Sequence, residues 1–482
     1  MTAATLYRAL ADELAAAIAR GSLAAGARLP SVRSAARERG LALNTVTAAY
    51  RQLEDRGLIE ARPQSGYYVK STLPALREPL RAAPEGVDLA SVEMRDLVSV
   101  VLRCQQREEY VDLALACPHG EVFYPGARLA RLTASLLRRQ PGIVSRYALP
   151  PGAARLRGQI ARRAMALGMR LAPDDILITH GAMEALQLAL RAVTRPGDTV
   201  GVESPTYFNL YPLLASLGLR ALEIPTHPQH GLSLDALEML LQEGRLAALV
   251  AMPTVHNPLG CTMPLAGKQR LAGLVARYRV PLIEDALYAE LQFDAALSPA
   301  VKAFDREGWV MVCASYTKTL APDYRIGWLE AGRFGDAVRQ LKFGSSIAES
   351  ALLTEAIGLL LENGGYDHHL RGLRRRYANQ LDSVRGLIAR RFPPGTRATQ
   401  PVGGFLLWLE LPEGIDTLQL FHAALAEGIV IMPGVLYSGG ARFRHCLRIS
   451  CCHELDERFM GALSRLGELA CAQAAVIVPA QA

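Results

Sequence analysis

The sequence predicts an α/β protein in two parts. One is a small helical head ending in a hairpin; the other is a large body built on a mostly parallel sheet. Three observations carry this. Within residues 1–70, three stretches with helical apolar spacing precede two short strand-like runs around a turn. From about residue 89, apolar strand signals alternate with helical stretches, the pattern of a sheet covered on both faces. Between the two lies "KSTLPALREPLRAAPEG", whose prolines at 74, 79 and 84 fall five apart with no apolar period. The expected division is a head over 1–70, a tether over 71–88, a body over 89–475 and a tail over 476–482.

A chain of 482 residues is too long for one core. Half the residues are hydrophobic and 21% charged, which is ordinary for a soluble globular protein. The net charge is +7, and residues 1–70 alone hold ten Lys or Arg against six Asp or Glu, a surplus of +4. A basic surplus gathered in so short a stretch is compatible with a nucleic-acid partner. The eight cysteines (Cys104, Cys117, Cys261, Cys313, Cys446, Cys451, Cys452 and Cys471) make no CxxC pair and join no histidine at metal spacing. They read as reduced, mostly buried thiols, and no metal is expected. The N-terminus is too charged for a signal peptide and no apolar run reaches membrane length, so a cytoplasmic protein without a membrane partner is expected.

In the head, Leu6, Leu10, Leu14 and Ile18 recur every four residues and make one apolar helix face, which Gly21 and Gly26 end. Ser31 can cap a second helix that Gly40 terminates. In the third, Val46, Ala49, Tyr50 and Leu53 form the inward stripe, and the opposite face carries Asn44, Thr45, Ala48 and Arg51. Small and polar groups with one arginine suit a helix that enters the major groove of DNA. "LIEA" and "YYV" read as strands around "RPQSG", a wing that offers Arg62 and the backbone near Gly66 to phosphates. The alternative is a small three-helix domain with a solvated basic face.

This stretch resembles the winged helix-turn-helix of GntR-type regulators, whose pattern runs through "LPS", Arg33, "NTV", Tyr50, Leu53 and the glycines of the hairpin. The resemblance implies a double-stranded DNA operator as partner, with Ser31, Arg33, Asn44, Thr45, Thr47, Arg51, Arg62 and Gly66 as contact candidates. Family members often carry a Ser-Arg pair just before "NTV"; here those places are Ala42 and Leu43. An operator sequence borrowed from relatives is therefore not expected to hold.

In the body, "DDILITHG" runs into "AMEALQLALRAV", and "DTVGVES" precedes "NLYPLLASLG". "LAALVAMP" precedes "KQRLAGLVARY", and "VPLIEDALY" and "GWVMVCASY" follow. Ligands of such sheets lie beyond the carboxyl ends of the strands. At those ends stand Gly181, Ala182 and Met183 opening a helix, then Tyr207, Asn257, Asp285, Tyr288, Ser315, Lys318 and Arg325. They make up a phosphate cradle at a helix N-terminus, a stacking ring, an amide, a carboxylate, a phenol and an amine. Each has an ordinary role when taken singly: Asp285 as a cap, Tyr288 as core, Lys318 as a solvated cation.

Pyridoxal phosphate needs this set. Its aldehyde condenses with a lysine, its pyridine nitrogen stays protonated beside a buried aspartate, and its phosphate takes an arginine and a helix N-terminus. The order N-P-x-G, D-x-x-Y, S-x-x-K and R-x-G resembles the fold-type I aminotransferases, which implies a mostly parallel sheet plus a smaller C-terminal α/β subdomain. That resemblance implies Lys318 as the cofactor lysine and Asp285 as the pyridinium partner. It implies Tyr288 and Asn257 as donors to the ring oxygen, Tyr207 as the stacking ring, and Ser315 with Arg325 on the phosphate. In "HCLRISC" it implies Arg448 as the fork for a ligand carboxylate. Tyr147, in "SRYALPPG", matches a tyrosine that relatives lend to the partner subunit's phosphate site, although core packing suits it as well. Cys451 and Cys452 read as a buried strand-end pair.

A GntR-type head on such a body resembles the MocR subfamily of bacterial transcriptional regulators. This implies a homodimer whose body senses pyridoxal 5'-phosphate, an amino acid or an amine. The alternatives are a working aminotransferase with a DNA-binding domain attached, and a regulator whose body only dimerises.

Overall fold

The computed structural model describes residues 3–19, 23, 27–62, 66–70, 92–104, 107–118, 120–440 and 442–477. The chain divides into two compact units, Met1–Ala75 and Leu76–Ala482. The expected tether and the glycines expected to end the first helix lie outside the described residues, as does the Arg62 side chain.

The first unit holds α1 (Ala3–Ala19), α2 (Val32–Arg39), α3 (Leu43–Asp55) and the antiparallel hairpin of β1 (Ile59–Arg62) with β2 (Gly66–Val69). Leu10, Leu14 and Ile18 meet Val46, Ala49, Tyr50 and Leu53 in one core, closed by Ile59 and Val69. The boundaries are chemical. Ser31 Oγ accepts from the Ser34 N–H at α2's start, and Gly40 takes the left-handed conformation at its end (φ 63°). Tyr50 donates its hydroxyl to the Pro30 carbonyl at 2.9 Å, tying α3 to the turn before α2.

The second unit begins its strands with β3 (Val111–Asp112). Its main sheet has eight: β4 (Ile176–His180), β5 (Thr199–Ser204), β6 (Arg220–His227), β7 (Gly231–Leu232), β8 (Ala248–Ala251), β9 (Leu282–Asp285), β10 (Val310–Ser315) and β11 (Ile326–Glu330). Their spatial order is β4-β11-β10-β9-β8-β5-β6-β7. The five strands from β10 to β6 run parallel, while β11 is antiparallel to both its neighbours and β7 to β6. Both faces are covered, and side chains alternate between them. Met311 and Cys313 of β10 join the core under helix Gly181–Val193, while Val310 joins the one under helix Leu265–Tyr278.

The smaller subdomain holds β12 (Arg397–Ala398), β13 (Leu406–Glu410), β15 (Met432–Pro433) and β16 (Cys446–Ser450) in one antiparallel sheet. Helices Thr417–Ala426 and Glu457–Ile477 pack on it through Phe421, Phe459, Leu463 and Leu466. The last helix runs to Ile477, past residue 475 where the sequence ends the body. Strand β14 (Ile429–Val430) pairs in parallel with β3, so the chain just before residue 113 is tied to this subdomain. From there it crosses to the carboxyl ends of the main sheet. Among the described residues no helix is long and apolar enough to cross a membrane.

Candidate functional site

On the head, Asn44 and Arg51 stand exposed along α3 and Arg33 along α2. Thr47 is half-buried, and its hydroxyl donates back to the Leu43 carbonyl at 2.9 Å. One expectation is corrected. Thr45, expected on the outward face, is only 9% exposed, because it sits beside the Val46 stripe and turns towards the core. Gly66 opens the second hairpin strand at a φ of 109°, and a Cβ there would lie 3.5 Å from the Arg28 guanidinium. Arg28 bridges to Tyr68, which puts a cation at the foot of the wing. Sequence reading missed it, since it lies before the "LPS" signal and outside any helix.

In the body the candidate phosphate cradle consists of backbone and one arginine. Helix Gly181–Val193 has no side-chain cap, so its first N–H groups are free to meet an anion. A Cβ at Gly181 would lie 2.7 Å from an Arg325 guanidinium nitrogen, and one at Gly327 would lie 2.5 Å from the Gly181 carbonyl carbon. The two glycines of "HGA" and "RIG" let strand, helix start and arginine close on one point. Arg325 adopts a positive φ of 54°, a conformation costly for a side-chain-bearing residue, which aims its guanidinium across the helix mouth. Ser315 Oγ sits at the adjoining strand end, 2.9 Å from Thr317 Oγ1 and 3.2 Å from the Ile326 carbonyl.

Lys318 follows three residues later. It is half-buried, and its Nζ donates to the Ala116 carbonyl at 2.5 Å. Burial holds its pKa below that of an ordinary lysine, and the Arg448 and Arg325 charges add to the effect. A lysine so placed reaches its neutral, nucleophilic form more readily. Asp285, 4% exposed, has its carboxyl pushed up to about 7 by burial, with Glu203 and Glu284 adding to it and the Leu287 N–H at 3.0 Å opposing it. A cationic ring nitrogen beside it would reverse that shift. Tyr288 is 2% exposed, and burial raises its phenol well above its ordinary range. Tyr207 is half-buried just beyond the end of β5, its ring 5.2 Å from that of Phe208.

Arg448 is fully buried on β16. One guanidinium nitrogen lies 3.2 Å from Asn257 Oδ1, a second donates to the Ala114 carbonyl, and Nε has no partner. Its guanidinium carbon lies 5.3 Å from the Tyr437 ring centre. An unpartnered donor on a buried guanidinium fits a carboxylate fork. The described residues therefore fit pyridoxal phosphate.

Residues 6–69 match the bacterial regulatory proteins of the gntR family, and residues 124–464 match aminotransferase class I and II. The HTH-type transcriptional regulator YdcR of Escherichia coli (strain K12) is 37% identical over 463 residues, 96% of this chain and 98% of that one. YjiR of the same organism, likewise an HTH-type transcriptional regulator, is 34% identical over 470 residues, again 96% and 98%. The chain is a MocR-type transcriptional regulator of the GntR family.

Its body shares its fold with LysN, the α-aminoadipate aminotransferase of Thermus thermophilus. The TM-score is 0.72 at 27% identity, over 80% of this chain and 96% of that one; LysN was solved with N-(5'-phosphopyridoxyl)-L-leucine. In this MocR-type chain the residues missed by sequence reading are mostly backbone. The carbonyls of Ala114 and Ala116 form one side of the cleft, and a carbonyl leaves no mark on a sequence. Thr317 and Tyr437 were missed too, although Thr317 sits inside the S-x-x-K motif and its place there was the available signal. Tyr147 is 78% exposed, so core packing is not its role. Cys451 and Cys452 are buried and unpaired, whereas Cys117 is exposed.

Proposed function

We propose that this regulator binds pyridoxal 5'-phosphate on Lys318, takes an amino acid or amine as effector, and changes its grip on a double-stranded operator in response. The observation that carries the reading is the convergence of Lys318, Asp285, the Gly181–Arg325 cradle and the Arg448 fork in one cleft of a chain with a GntR head. Bound there, the cofactor supplies an electrophilic aldehyde for amines. Asp285 would hold a proton on the ring nitrogen, and Asn257 and Tyr288 would donate to the ring oxygen. Tyr207 would cover the ring face, while Gly181, Ala182, Met183, Ser315 and Arg325 hold the phosphate. Arg448 would take the effector's carboxylate.

The working partner is a second copy of the chain. Tyr147 at 78% exposure stands among Val144 at 64%, Leu149 at 54% and Phe343 at 63%, and a bridge between Ala148 and Glu349 joins the two segments that carry them. Apolar groups so exposed suit an obligate homodimer, with Tyr147 reaching the other subunit's phosphate. The setting is the cytoplasm, where the operator is.

The test compares wild type with Lys318→Ala. Wild type incubated with pyridoxal phosphate should carry a yellow chromophore that borohydride fixes to the chain. The variant should lose it, and should lose the effect of amino acids on operator affinity. A fixed chromophore in the variant would refute the assignment. Turnover of an amino acid to its oxo acid by the wild type would favour the aminotransferase reading instead.

A further inference from the structure

Apart from the cofactor cleft, the long helix Gly365–Arg391 lines a second cavity of about 700 Å³, together with Val122 and the turn 454–456. That is a volume suited to a small molecule. The helix contributes His368, His369, Arg375, Arg376, Asn379 and Gln380, positions that return every three or four residues to the same face. Arg375 and Arg376 engage no carboxylate among the described residues. The Arg376 guanidinium carbon instead lies 5.8 Å from the Phe123 ring centre.

Gln380 gives the second indication. It is 7% exposed, and its Nε2 donates to the His453 carbonyl at 2.6 Å, which fixes the amide's orientation. Its Oε1 is then a buried acceptor, and it has no partner. A buried acceptor without a donor is costly unless a ligand or solvent supplies one. The acidic members of the lining differ in their commitments. Asp456 Oδ1 accepts the Phe459 N–H at 2.8 Å and so caps the last helix. Glu454 lies against Gly120 and leaves a carboxylate at the rim. Two free guanidinium groups ask for an anion, and Gln380 with Glu454 ask for a donor.

One residue of the lining touches the neighbour of Lys318. His369 Nε2 lies 2.7 Å from the carbonyl of Thr319, the residue after Lys318. A carbonyl only accepts, so Nε2 carries the proton. From Phe123 a second line of contacts runs inward: Phe123 to Tyr377 at 5.6 Å, Tyr377 to Phe405 at 4.9 Å, and Phe405 to Tyr288 at 5.5 Å between ring centres.

We propose that this cavity is a second ligand site, taking a small carboxylate that also bears a hydroxyl or ammonium group, and that its occupancy is felt at Lys318 through His369 and Thr319. Binding at the cavity stands apart from the cofactor reading; only the coupling to Lys318 rests on it.

The probe is L-malate, which has carboxylates and a hydroxyl but no amine to react with a cofactor aldehyde. Calorimetric titration of the full chain should show binding to wild type and to Arg448→Ala alike. In Arg375→Gln with Arg376→Gln the Kd should rise by about tenfold or more; both side chains are exposed, so the fold is not at stake. Loss of binding in Arg448→Ala with retention in the double variant would assign malate to the main fork and overturn the proposal. So would the absence of binding to wild type. With pyridoxal phosphate bound, malate should shift the chromophore of wild type, while His369→Ala should show no shift at malate concentrations that calorimetry shows to fill its own cavity. A shift retained in His369→Ala would overturn the coupling. If wild type takes up no chromophore at all, the cofactor reading fails and the calorimetric result still decides the cavity.

Discussion

Gly181 and Arg325 press together so closely that a Cβ on the glycine would stand 2.7 Å from the guanidinium. The glycine also sits at a φ of 73°, where a side chain is strained. Gly181→Ala should therefore push the arginine aside and lower affinity for pyridoxal phosphate, by about tenfold to a hundredfold. Titration of the chromophore measures this. Unchanged affinity would mean that the phosphate does not sit between these two residues.

Asp285 makes the cofactor-free protein pH-sensitive. Its carboxyl titrates at about 7 in the fold and near ~3.9 in an unfolded chain. Between those values the folded state holds the extra proton, so stability falls as pH rises through that window and is flat above it. Asp285→Asn should remove the fall. The cofactor-free variant should be more stable than wild type at about pH 8, by up to about 4 kcal/mol, with the gain shrinking towards about pH 5. Its affinity for pyridoxal phosphate should drop. Urea unfolding at both pH values checks the first part, and a gain independent of pH would contradict it.

Arg448 is fully buried, and the proposed reading makes it the fork for an effector's carboxylate. Arg448→Lys keeps the charge but not the two-pronged geometry. Cofactor uptake should persist, while amino acids should lose about 2 kcal/mol or more of binding, roughly thirtyfold. The readout is operator affinity across a panel of L-amino acids. A full response in the variant would mean that the effector carries no carboxylate.

On the head, Arg51 is exposed along α3 and should contact the operator. Arg51→Ala should cost about 1–3 kcal/mol on the operator and less on random DNA if it reads a base edge. Equal losses, with the salt slope reduced by about one, would make it a phosphate contact. Thr45→Val serves as the internal control. Since Thr45 is buried, this change should leave the salt slope of DNA binding as it was.

The sequence made the head legible because caps, apolar stripes and hairpin turn each speak through side chains. Ser31, Gly40 and the stripe from Val46 to Leu53 say where helices start, stop and face. The cofactor cleft was legible for the same reason: strand ends in a parallel sheet gather their side chains at one edge, so Asp285, Ser315 and Lys318 could be grouped while still far apart in the chain. What escaped was carried by backbone or by tertiary context. Nothing in "LALAC" announces that the carbonyls of Ala114 and Ala116 will receive Arg448 and Lys318, because only the pairing of β3 with β14 brings that segment there. Thr45 was misread because a threonine at the edge of a stripe has a hydroxyl for water and a methyl for the core, and can turn either way. Arg375 and Arg376 carry no motif, and only tertiary packing sets a cavity beside them.

The contacts of Arg448 have one more consequence. Asn257 and Ala114 already occupy two of its nitrogens, so a carboxylate arriving there finds Nε without a partner and competes with an amide and a carbonyl for the other two. Replacing a neutral acceptor by a charged one strengthens the bond, but gains less than filling an empty donor. The protein carries, in effect, its own competitor. If Arg448 takes an effector's carboxylate, as proposed, that amide and that carbonyl raise the concentration at which it does so.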